Sequence, residues 1–273
     1  MGRAVNHKGA VLAALALAGL ALAAPHRYEM RSFVNVEGKV GGVQPAFAWC
    51  DAPGRVLVLR QFDTPAGPAR RNAPQYTVTE LYEWPKTRAG LGKLRRSEVR
   101  IGWPDAGAGQ TFHSLKATSG PRQGQSGHLR TSTVENEDPA YRMTRVNEFR
   151  LNGTSYRCRY QPQAVFMGST AQRTVIVWDN GRAATYATRN FDGTPGMYVT
   201  GGKVSYDELG PEYIFSGAGG YSYRVKYHDS SAFVQVRRNG KMLQSEHFLA
   251  YSVSMPTPST PIPTVPIKYP STP

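Results

Sequence analysis

Several signatures of catalysis are missing from this chain. With two cysteines and no Cys-x-x-Cys pair, it lacks a dithiol redox centre and the cysteine-rich zinc modules. Its six histidines stand apart from one another, no His-Glu-x-x-His occurs, and no metal-ligand spacing can be read from them. Gly-x-Ser-x-Gly, Ser-x-x-Lys and the Walker phosphate loop are absent, and no cofactor motif is present. The nearest approach to a nucleophile elbow, Gly124-Gln125-Ser126-Gly127-His128, lacks the strand-to-helix setting and reads as loop. Acids are scarce as well: 19 Asp and Glu face 33 Lys and Arg, a net charge of +14. Helix is scarce too, because 28 glycines and 20 prolines break most segments before a helical period can establish itself. Beyond the first 23 residues no apolar run is long enough for a membrane helix.

Those first residues carry a clear pattern. Arg3 and Lys8 precede an apolar run from Ala10 to Leu22 that closes on Ala21-Leu22-Ala23, the charged, apolar and small-residue order of a secretory leader. Cleavage is expected after Ala23, and no Cys follows that could carry a lipid anchor. The chain is therefore expected to be exported, to the periplasm, the cell surface or the medium. Without Arg3 and Lys8 the exported part carries +12. A field of that sign favours an anionic polymer or protein of the cell envelope, with nucleic acid ranked lower. The plain alternative is solubility charge spread evenly over the surface.

In an oxidising compartment Cys50 and Cys158 are expected to form a disulfide. Bridging positions so far apart would stabilise the fold by about 4–5 kcal/mol through loop entropy.

The secondary structure reads as mostly β. Asn152-Gly153, Asn180-Gly181 and Asn239-Gly240 each lie between runs of strand formers, and Asn-Gly suits the type I′ turn of a tight hairpin. The flanking strands are Glu148 to Leu151 with Thr154 to Tyr160, Arg173 to Asp179 with Arg182 to Thr188, and Ser231 to Arg238 with Lys241 to Phe248. Between Tyr221 and Tyr227 the residues alternate, with Tyr221, Tyr223, Val225 and Tyr227 on one face and Ser222, Arg224 and Lys226 on the other. Thr174 to Trp178 is apolar on both faces and should be an interior strand. In the N-terminal half, strands are expected at Tyr28 to Val36, Val56 to Phe62, Tyr76 to Trp84, Leu94 to Ile101 and Thr111 to Ala117. A breaker-rich stretch from Thr118 to Ala140 reads as linker or long loop. The expected architecture is a leader (1–23), then antiparallel meanders forming two barrel-like or sandwich-like halves (24–130 and 131–255). A disordered tail (256–273), with seven prolines among its 18 residues, closes the chain.

Candidate chemistry comes from charges on these strands. Glu80 shares a face with Tyr76, Val78, Tyr82 and Trp84, where a raised pKa would suit a general acid. Glu135, Glu137 and Asp138 form an acidic turn without the spacing of a calcium loop. Stronger is the interleaving of cations with aromatics at Tyr156-Arg157-Cys158-Arg159-Tyr160, along Tyr221 to Tyr227, and at Arg237-Arg238. Arg157, Arg159, Arg224, Lys226, Arg237 and Arg238 are thus candidates for holding phosphates or carboxylates, with tyrosines able to stack on bases or sugars. The competing reading buries the tyrosines and leaves the cations solvated.

Tyr156-Arg157-Cys158, the Thr174 to Tyr186 hairpin, Ser216-Gly217-Ala218-Gly219-Gly220-Tyr221 and Phe233 to Leu243 together resemble the periplasmic C-type lysozyme inhibitors. The resemblance covers about residues 156–246 and implies a small β-barrel. In it, Ser216 and the Gly217 to Gly220 backbone would enter the lysozyme cleft, assisted by Lys226. The family's second Cys, near the end of the barrel, is absent here. A Ser-Gly-Ala-Gly-Gly run also serves as an ordinary strand connector.

The sequence therefore points to a non-catalytic, β-rich binding protein of the cell envelope with a basic surface. The alternatives are a lysozyme-inhibitor-like protein and an envelope hydrolase whose carboxylates converge from separate strands.

Overall fold

The computed structural model describes residues 28–62, 76–132, 142–208, 210–228 and 230–256. About two thirds of them lie in strands, all paired antiparallel, a mostly β fold as expected from the sequence. The first ten strands are β1 (Tyr28–Asn35), β2 (Val43–Ala52), β3 (Arg55–Arg60), β4 (Tyr76–Thr87), β5 (Gly90–Leu91), β6 (Arg95–Gly107), β7 (Gln110–Ala117), β8 (Ser126–Ser132), β9 (Val146–Leu151) and β10 (Thr154–Arg157). The rest are β11 (Phe166–Ser169), β12 (Arg173–Asp179), β13 (Ala184–Asn190), β14 (Tyr198–Asp207), β15 (Gly210–Ser216), β16 (Tyr221–His228), β17 (Ser231–Arg238), β18 (Lys241–His247) and β19 (Ala250–Pro256). Among the described residues no helix is long and apolar enough to cross a membrane.

Strand pairing forms one continuous open sheet. One meander runs from β10 through β9, β8, β7, β6, β4, β3 and β2 to β1, with the short β5 paired to the end of β4. A second runs from β11 in chain order to β18. The last strand joins them, because β19 inserts between β1 and β11 and pairs with both.

The strands at this junction are buried on both faces. Val34, Met167, Ile176, Trp178, Ala187 and Ala250 face one hydrophobic cluster, and their neighbours Phe33, Phe166, Val177, Tyr186 and Tyr251 face another. Period-two alternation thus feeds two cores from a single layer. The first core is completed by β2 to β4 and β6 to β9, the second by β13 to β17. Thr174 to Trp178 is the interior strand that its two apolar faces predict.

One hydroxyl holds the polar atoms at this junction. Trp49 Nε1 and Tyr160 OH each donate to Ser252 Oγ at 2.7 Å, and Ser252 in turn lies 2.7 Å from Ser32 Oγ. A serine hydroxyl has two acceptor sites and one proton, so these three contacts use its full capacity.

The disulfide between Cys50 and Cys158 is present, with Cα atoms 5.0 Å apart. It links β2, next to last in the first meander, to the residue just past β10 at the meander's other end. Beside it Arg159 N donates to Asp51 O at 2.9 Å. The first meander therefore curls back toward its own beginning.

Two turns follow the Asn-Gly expectation, with φ positive at both residues of Asn152-Gly153 and of Asn239-Gly240. The third differs. At Asn180-Gly181 only the glycine has positive φ, and Asn180 Oδ1 accepts the N–H groups of Arg182 and Ala183 at 2.9 Å. That side-chain turn widens the connection, so the strands part at Asp179 and resume at Ala184. The stretch expected to be loop from Thr118 to Ala140 also contains a strand, β8, whose Leu129 is buried between β7 and β9. Residues 1–23, the acidic turn at Glu135, Glu137 and Asp138, and the tail from 257 lie outside the described residues.

Candidate functional site

The structure separates the tyrosines of β16 from its cations. Tyr223, Val225 and Tyr227 are buried, while Ser222, Arg224 and Lys226 lie half-buried on the opposite face. Tyr223 stacks on Tyr186 at 5.2 Å and Tyr227 on Phe166 at 5.1 Å, so these rings belong to the second core. Arg224 pairs with Glu212 at 3.4 Å and Lys226 with Asp207 at 2.5 Å. Arg237, cross-strand from Ser222, donates to Gln235 Oε1 at 3.1 Å. Arg238 lies over the Tyr221 ring at 5.2 Å. Ser216 ends β15 exposed, and the Gly217–Gly220 turn after it is tied down by Gly217 N to Tyr221 O at 2.8 Å and Asn239 N to Gly220 O at 2.9 Å. Arg157 and Arg159 stand elsewhere, on either side of the disulfide.

Arg159 is one wall of a charge cluster that the sequence did not reveal. Asp51 has no solvent exposure and contacts Lys86, Arg159 at 3.1 Å and Arg189 at 3.0 Å. Burial alone would raise its pKa, but the three cations more than offset this and hold the carboxyl below its usual range. Burial and the two guanidiniums lower Lys86 to about 8, against the Asp51 attraction, making its proton the labile one. Nearby on β4, Glu83 accepts Arg122 Nε and Nη2 at 2.9 and 3.0 Å and pairs with Arg55. These two carboxylates, the most buried among the described residues, are thus saturated by cations.

A different face carries unsatisfied charge. Register across β6 to β10 sets Arg100 directly opposite Lys116, and Arg150 between His128 and Ser155. It also aligns Arg130, Glu148 and Arg157 in a neighbouring row. Alternation directs all of these outward, while Val99, Leu115, Leu129 and Phe149 point into the core. Glu148 is taken by Arg130 at 2.9 Å and His128 at 3.6 Å. Arg100, Lys116, Arg150 and Arg157 have no acid partner among the described residues. Arg100 instead covers the ring of Tyr76 at 4.5 Å. Of the cations singled out in the sequence, Arg157 is the one that belongs to this face.

Tyr76 also forms the wall of an apolar cleft of about 250 Å³, with Phe47, Phe62, Ile101, Trp103, Pro104 and His113 among its other lining residues. Phe47 packs on Phe62 at 4.7 Å and edge-on to His113 at 5.1 Å. Burial lowers the pKa of His113, partly countered by the carbonyl of Gly102 at 3.3 Å from its Nδ1. That carbonyl can only accept, so Nδ1 carries a proton.

Converging carboxylates do occur, since Glu80 and Glu98 are directly opposite on β4 and β6. The surroundings of Glu80 do not suit a general acid. Tyr82 OH donates to Glu80 at 2.6 Å and Arg60 at 3.0 Å, and these bonds lower its pKa where catalysis would need it raised. Among the described residues no group of three or more His, Cys, Asp or Glu is placed to hold a metal ion. Comparison with protein-family models, with curated proteins and with solved structures found no match to this chain.

Proposed function

We propose that the protein is an exported, non-catalytic binding protein of the cell envelope, and that it holds an anionic polymer on the outer face of β6 to β10. One observation carries this reading. Arg100 and Lys116 are directly cross-strand on the antiparallel β6–β7 pair, their backbones about 5 Å apart, and neither makes an ion pair among the described residues. Like charges so placed destabilise a sheet. Arg150 and Arg157, which make no ion pair among the described residues, extend the same field. A polyanion laid across these strands would relieve the repulsion and release its own counterions.

The test is retention of the chain from Ala24 onward on polyphosphate, an acidic polysaccharide and single-stranded DNA at low and high salt. Salt-sensitive binding to an envelope-type polymer supports the reading; indifference to all three overturns it. Preference for DNA would move the partner to nucleic acid.

A second reading, lysozyme inhibition, draws on the exposed position of Ser216 at the β15–β16 turn. Its test is direct inhibition of a C-type lysozyme and loss of that inhibition in Ser216→Lys.

A further inference from the structure

We propose that the cleft between Phe47, Phe62, Tyr76 and Trp103 binds an acyl chain bearing an anionic head group, with the head on Arg100 and Lys116. The charged half of this inference rests on the function proposed above; the cleft itself is independent of it.

The cleft is made where two strands depart from regular pairing. The β2–β3 register shifts between Ala46 and Ala48, at Phe47, and the β6–β7 register shifts between Ile101 and Pro104, at Gly102 and Trp103. Bulges of this kind re-aim side chains and recur beside binding sites. Here both re-aimed rings line the same hollow, and Phe62, just past β3, and Tyr76, at the start of β4, complete it. Residues 63–75, which link Phe62 to Tyr76 in the chain, lie outside the described residues.

The lining decides the class of ligand. A sugar ring stacked on aromatics also needs polar groups around its edge. Among the described residues this cleft offers chiefly Thr77 and a His113 whose Nδ1 is already engaged with Gly102, so its walls suit hydrocarbon. Its mouth suits an anion. The Tyr76 ring that walls the cleft is the one beneath the Arg100 guanidinium, and Lys116 is directly cross-strand from Arg100. Neither cation makes an ion pair among the described residues, and Arg100 reaches the hollow through the Tyr76 ring that both share.

The experiment is calorimetric titration of the exported chain with dodecyl phosphate below its micelle concentration. Dodecyl maltoside supplies the same chain with an uncharged head, and inorganic phosphate the head alone. The expected result is one saturable site for dodecyl phosphate, about tenfold or more tighter than for either comparison. Trp103→Ala should weaken it by a similar factor, Trp103→Phe should restore most of it, and Arg100→Gln should weaken dodecyl phosphate but not dodecyl maltoside. Because Trp103→Ala could perturb the fold, amide chemical-shift changes on titrating the unaltered protein provide a second readout and should centre on Phe47, Thr77 and Ile101. Dodecyl phosphate binding no tighter than inorganic phosphate, or shifts centred elsewhere, would overturn the proposal. Equal binding of dodecyl maltoside would overturn its anionic half. If an acyl-free polyanion is still retained in a salt-sensitive way, the cleft inference alone falls; loss of both removes the polyanion reading as well.

Discussion

Asp51 is the counter-charge to three cations, two from strands β4 and β13 and one from the segment after β10, and removing it leaves them facing one another. Asp51→Asn should destabilise the protein by about 3–5 kcal/mol, read as a lowered urea midpoint with the disulfide intact. Lys86 gives the same cluster a pH signature. Its value falls from 10.5 to about 8 on folding, so between those limits the unfolded chain holds the proton and the folded one does not. Stability from this group therefore rises with pH across that window. The difference in unfolding free energy between the wild type and Lys86→Met should climb from pH 8 to 9.5; a flat difference would show that Lys86 titrates normally. Ser252 makes a further prediction. Ser252→Ala strands the Trp49 and Tyr160 donors in the core and should cost roughly 2–4 kcal/mol, measured by denaturant titration. The disulfide was legible in the sequence because a chain with two cysteines has one possible internal pairing. Its neighbours were not, because Lys86 and Arg189 reach Asp51 only through the packing of strands distant in sequence.

At the scale of elements, local signals worked wherever turn chemistry and alternation agreed. Asn152-Gly153 and Asn239-Gly240 make the expected turns, and the β16 alternation sorts Tyr223 from Arg224 as read. The misses have physical reasons. Pro45 interrupts β2, yet pairs within the sheet opposite Phe33. In β19, Tyr251 and Val253 alternate with Ser252 and Ser254 as in a half-exposed strand, whereas those serines are buried at the junction. Glycine concealed β8. A Cβ on Gly127 would overlap the Arg150 carbonyl oxygen, so glycine is there to let β8 and β9 approach. Gly127→Ala should therefore separate these strands, with faster amide exchange along β8 and β9 and a lower melting temperature. An unchanged exchange pattern would mean that the backbone accommodates a methyl there.

For the whole molecule, the decisive feature is that the last strand lies between the two meanders, so a layer with a core on each face unites distant parts of the chain. Nothing local in the sequence announces that insertion. The candidate site was legible only in part. Net charge pointed to an anionic partner and Arg157 was singled out, but Arg100, Lys116 and Arg150 become neighbours only through the register of β6 to β9. The cleft, likewise, depends on irregularities in pairing that no single strand displays.

The central claim is that the uncompensated face of β6 to β10 is kept for binding at some expense in stability. Arg100→Glu tests it most directly, because it would place opposite charges across the β6–β7 pair. The measurement is the affinity of residues 24–273 for polyphosphate as a function of salt, with melting temperature recorded on the same samples. The account predicts that Arg100→Glu binds about tenfold or more weakly, with a shallower salt dependence, while stability rises by a few tenths of a kcal/mol. Affinity and salt dependence equal to those of the wild type, in a variant folded just as well, would contradict it.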